Sequence, residues 1–69
     1  MQDQLLRAIT EPGIKQATIA AIYASVLRHE GETADWAAIN VAIREKWPTG
    51  LLRVKKMAWK ILEGDAPWT

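Results

Sequence analysis

Glycine and proline punctuate this chain at Pro12-Gly13, Gly31, Pro48-Thr49-Gly50 and Gly64, and cut it into four short stretches. Each stretch carries apolar residues at spacings of three and four, the period of a helix with one buried face. Alanine is abundant and phenylalanine is absent. The pattern predicts an all-α domain of four short helices with tight connections. Its C-terminal half has a helix-turn-helix-like layout.

The first helix is expected over 3–9, with Leu5, Leu6 and Ile9 on its apolar side. Thr10 is the expected cap for the second, since Pro12 then falls in a first turn where a missing N–H costs nothing. That helix is expected over 12–30 and stops at Gly31. Ile19, Ile22, Tyr23 and Val26 should face the core, with Ala17, Ala21, Ala24 and Ser25 opposite. The third helix, over 33–47, is capped by Thr33, with Asp35 in its first turn. Trp36, Ile39, Ile43 and Trp47 share one face of it, and Ala34, Ala37, Ala38 and Val41 another. Pro48 ends it. Thr49 should cap the fourth helix, over 50–63, with Leu51, Val54, Ala58, Ile61 and Leu62 buried. Residues 64–69 are expected as an extended tail. The third and fourth helices are expected as antiparallel neighbours.

At 69 residues the chain allows one domain, spanning 1–69. A chain this short buries only about 60% of its unfolded surface, so its core supplies roughly 3–5 kcal/mol. With no cysteine there is no disulfide and no thiolate metal site. A single histidine carries no zinc site unaided. A second subunit is the remaining support, and a homodimer is expected through the alanine faces: Ala17, Ala21, Ala24, Ala37 and Val41. No apolar run approaches the ~20 residues that span a bilayer. Asp3 and Gln4 stand where a signal peptide carries bases. The expected location is the cytoplasm.

Enzyme chemistry finds no constellation here. Nucleophilic catalysis needs a nucleophile, a base and an orienting group. His29 stands at a helix end, where a cation suits the dipole. The carboxylates are scattered and the glycines isolated, which leaves no acid–base pair and no phosphate cradle. The chain is expected to be no enzyme and to take no cofactor.

Charge is distributed unevenly. Residues 44–60 hold Arg44, Lys46, Arg53, Lys55, Lys56 and Lys60 against Glu45, a balance of +5. The remainder carries −4, so the net is +1. Such asymmetry steers an anionic partner. The same segment holds two of the four tryptophans. Trp and Arg are enriched at interaction hot spots. Trp36 and Trp47 align with the core stripe, whereas Trp59 shares a flank with Leu52 and Lys55. A protein-binding surface is therefore expected at Leu52, Lys55, Lys56 and Trp59, with Arg44 and Trp68 at its rim. The second reading is DNA, contacted by Arg53, Lys56 and Lys60 on the fourth helix. That layout resembles the Myb/SANT pattern in Trp36, Ile39, Ile43 and Trp59. The distance from Trp36 to Trp59 is longer than that family's, and its arginine-threonine pair is absent from the break. The exposed face also lacks the Asn, Gln and Ser common in DNA readers, and the net charge is low for one.

Ile43, Trp47, Leu51, Val54, Lys55, Ala58 and Trp59, within 39–62, resemble a segment of small, uncharacterised bacteriophage proteins. The resemblance implies an early phage product that binds a host protein and blocks it. Quorum-sensing anti-activators, which bind the host's transcriptional activator, are the nearest type in size and style, and anti-CRISPR proteins have a similar layout.

Overall fold

A computed structural model describes residues 1–64, and four α-helices order them. The first, α1 (Gln2–Ile9), buries Leu5 and Ile9, four apart on one face. Asp3 in its first turn and Arg7 in its last both suit the helix dipole. The chain then leaves the helical path sooner than Thr10 as a cap would allow. The Thr10 N–H and hydroxyl both donate to the Arg7 carbonyl, at 3.1 and 2.7 Å, so Thr10 closes α1 instead of opening the next helix. Gly13 takes φ +77° and turns the chain, and Lys15 is extended. The second helix, α2 (Gln16–Glu30), therefore begins four residues later than expected.

Gly31, at φ +52°, ends α2 as the sequence indicates. Gly31–Thr33 forms a 3₁₀ turn, and the Thr33 hydroxyl donates to the Glu30 carbonyl at 2.6 Å. Thr33 thus finishes the α2 corner. Asp35 caps the third helix in its place, its carboxylate accepting the Ala38 N–H at 3.1 Å. That helix, α3 (Trp36–Lys46), ends where Trp47 donates its N–H to Ile43 and Pro48 follows. The fourth, α4 (Leu51–Gly64), opens with Val54 N–H bonded to the Gly50 carbonyl at 3.0 Å. That bond puts Gly50, not Thr49, at the cap position.

The core joins Leu5, Ile9, Ile19, Val26, Ile39, Ile43 and Val54 with Tyr23 and a set of alanines, Ala20, Ala24, Ala34 and Ala58. The main packing is α4 against α2, with α1 lying on both α2 and α3. Small residues on both sides, Ala20 and Ala24 on α2 and Ala58 on α4, are fully buried and suit a close approach of backbones. This corrects two expectations. The third and fourth helices touch only slightly, and α4 takes α2 as its neighbour. Ala24, placed on a subunit-facing stripe, is 1% exposed and belongs to the chain's own core, because the buried arc of α2 runs through Ala20 and Ala24.

Tyr23, Trp36 and Gln2 lock the corners. Tyr23 packs on Trp36 with ring centroids 4.8 Å apart and ring planes tilted by 48°, and the Tyr23 hydroxyl donates to Asn40 Oδ1 at 3.3 Å. Trp36 Nε1 donates to the Gly31 carbonyl at 2.6 Å. Gln2 bridges two elements: its N–H donates to Glu30 Oε1 at 3.1 Å, and its Oε1 accepts the Asp35 N–H at 2.8 Å.

Candidate partner-binding surface

Helical spacing sets which side chains of α4 face outward. Val54 and Ala58 point into the core, which turns Leu52, Lys55, Lys56 and Trp59 to the flank at relative positions of three, four and seven. Leu52 is 64% exposed and Trp59 54%. Lys56 is exposed and Lys55 half-buried. The structure thus brings these four expected partner-binding residues together on one face. Trp36 and Trp47 instead pack half-buried against the core, as their place on the apolar stripe indicates.

The short connection between α3 and α4 creates a feature that periodicity does not show. A groove of about 310 Å³ opens at this corner, lined by Arg44, Pro48, Thr49, Leu51, Leu52 and Lys55. Arg44, expected at a rim, stands on the groove wall from α3, and Lys55 stands on it from α4. Pro48 and Thr49 join the site because they form the turn itself, and Leu51 is only half-buried instead of lying in the core. Proline next to a helix cap was the available signal. Ile61, assigned to the buried stripe, is 36% exposed. Trp68 lies outside the described residues.

The electrostatics of this face are one-sided. Among the described residues, Arg44, Arg53, Lys55, Lys56 and Lys60 make no ion pair or side-chain hydrogen bond. Lys46 differs, since its Nζ donates to the Glu11 carbonyl at 2.7 Å and sits 5.7 Å over the Trp47 ring. It ties the end of α3 to the turn after α1. Arg53, Lys56 and Lys60, the residues of the DNA reading, are exposed on the outer side of α4.

The residues expected at a subunit contact divide. Ala17 and Ala21 are exposed one turn apart on α2, and Ala37 and Val41 one turn apart on α3. Ala24 is not available, for the reason given above. His29 lies exposed at the end of α2 with Nδ1 2.9 Å from the Ser25 carbonyl, within its own helix. Among the described residues, no three of His, Asp and Glu come together as a metal site. Burial raises the Tyr23 phenol above its ordinary 10.0. No helix of the described residues is long and apolar enough to cross a membrane.

The chain matches no protein-family model, and no curated protein and no solved structure shows significant similarity to it.

Proposed function

We propose that this chain is a non-enzymatic inhibitor that docks on another protein through the flank of α4 and covers that protein's working surface. The observation that carries this reading is a pair of bare apolar side chains, Leu52 and Trp59, on the same face as unpaired Lys55 and Lys56. An exposed indole beside leucine, rimmed by charge, is the composition of a hot spot awaiting its partner. On the resemblance within 39–62, we take that partner to be a bacterial host regulator, such as a transcriptional activator, and the chain to be a phage product acting in the host cytoplasm. A homodimer is part of the same proposal, and four of its five expected contact residues remain open on the surface. Sedimentation over a range of concentrations tests it, and a monomer throughout removes it.

Pull-down from bacterial lysate, followed by titration of the purified partner, tests the docking surface. Trp59→Ala should abolish capture with helix content unchanged, and Lys55→Ala should weaken it. Capture that survives both changes removes this face from the reading. The DNA reading rests on Arg53, Lys56 and Lys60 being exposed and unpaired. The apolar side chains beside them, and the slight contact between α3 and α4, favour protein over a duplex groove. A gel shift on random duplex separates the two.

A further inference from the structure

We infer that the groove between α3 and α4 receives a bulky apolar side chain from an acidic segment of the partner protein, with carboxylates on either side of that side chain. The inference rests on the protein-docking reading above and names the chemistry of what docks. Its basis is the arrangement of the groove. Pro48, Leu51 and Leu52 supply apolar lining, while Arg44 and Lys55 enter it from different helices. Neither cation has an ion-pair partner among the described residues. An apolar slot with a cation on each wall fits an apolar residue flanked by acids, because each carboxylate meets a charge-assisted donor while the side chain between them is desolvated.

Charge also decides against a second copy docked two-fold on this groove. A two-fold interface sets a patch against itself. Here that would place Arg44, Lys55 and Lys56 of one subunit against those of the other. Like charges so juxtaposed oppose association. A partner carrying the opposite sign relieves the repulsion instead of doubling it. Leu52 lines the groove, and exposed Trp59 stands two turns further along α4, about 10 Å along the helix axis. One partner segment can therefore engage both.

The test uses the full chain, immobilised, to select from a library of displayed random short peptides. Enrichment of sequences with Asp or Glu on both sides of Leu, Phe or Trp is expected. Synthetic copies should lose roughly ten-fold or more in affinity on the double change Arg44→Glu, Lys55→Glu. Both residues lie outside the core, and circular dichroism checks the fold. Leu52→Asp, at an open side chain, is the second variant and should abolish peptide binding. The inference is overturned if no sequence is enriched, if the enriched peptides lack acids, or if the charge reversal leaves affinity unchanged. In those cases lysate capture that still depends on Trp59 leaves the docking reading standing, and loss of that dependence removes both. Oligothymidine and a random duplex are run alongside. Tighter binding to either than to the selected peptides, lost on the same reversal, assigns the groove to nucleic acid and also overturns the inference.

Discussion

Replacing Gly50 by alanine tests the corner on which both the fold and the groove depend. A methyl group on Gly50 would stand 2.6 Å from Trp47 Cβ, 3.0 Å from Gln16 Nε2 and 3.4 Å from Trp47 Cγ. Carbon atoms rest at about 3.5–4.0 Å, so the closest contact must open by roughly 0.9 Å. Gln16 can swing its amide away. Trp47 Cβ cannot, because it is fixed to the backbone at the end of α3, and the corner itself has to give. Overpacking of this kind costs about 1–3 kcal/mol. Gly50 does not hold a positive φ, so alanine fits its backbone, and its gain of about 0.4–1 kcal/mol from restricting the unfolded chain is partly offset by alanine's poor preference for a helix cap. The net loss is about 1–2 kcal/mol, a fall in Tm of roughly 5–15 °C for a domain this size. Thermal unfolding followed at 222 nm reads it. Gly64→Ala is the control: nothing lies within 4 Å of the added methyl, and a few tenths of a kcal/mol gained are expected. A Gly50→Ala protein as stable as the parent would refute the close approach of Trp47. Relief of the clash also shifts Pro48 and Thr49 on the groove wall, so the variant should weaken peptide binding as well.

Other expected outcomes follow from single contacts. Asp35→Ala removes the acceptor for the Ala38 N–H and should cost about 1 kcal/mol by urea midpoint; Thr33→Ala should leave the start of α3 capped. Trp59→Ala, at a residue 54% exposed, should cost no more than about 1–2 kcal/mol, from the part of its apolar surface that is covered. Ile39→Ala, at a fully buried position, should lose about 2–5 kcal/mol, a large share of the domain's stability, read by the urea midpoint. The Tyr23 phenol is neutral in the fold above its ordinary 10.0. The unfolded chain therefore releases this proton first as pH rises through 10, and stability falls from there until the folded value is reached. Tyr23→Phe should remove that part of the slope in alkaline urea titrations, while losing about 0.5–1.5 kcal/mol at neutral pH with its bond to Asn40.

Helix number and most helix ends were legible because they are local. Gly31 and Pro48 act within one turn of chain, and the structure ends α2 and α3 there. The outward flank of α4 was legible for the same reason, since Leu52 and Trp59 follow from the phase set by Val54 and Ala58. The starts of α2 and α3 were harder. Thr10 and Thr33 are good caps by type, but each hydroxyl is used on the carbonyl three residues before it, closing the preceding element. Which helix packs on which was not legible at all. Periodicity gives each helix a face without naming its mate, and Ala20, part of the α2 face buried in the core with α4, looks like any other alanine. The groove at the α3–α4 corner escaped for a related reason. It comes from how Pro48 and Thr49 set two helices apart, and no single residue type announces that.

The row of unpaired cations on α4 gives ionic strength two opposite effects. Lys56 and Lys60 stand one turn apart, and like charges at that spacing cost a few tenths of a kcal/mol on a helix. Screening lengths shrink to about 10 Å at 0.1 M monovalent salt. Added salt should therefore firm the free domain by quieting this repulsion, while loosening its hold on an acidic partner. The same ions that raise its melting point would lengthen the time it spends unbound.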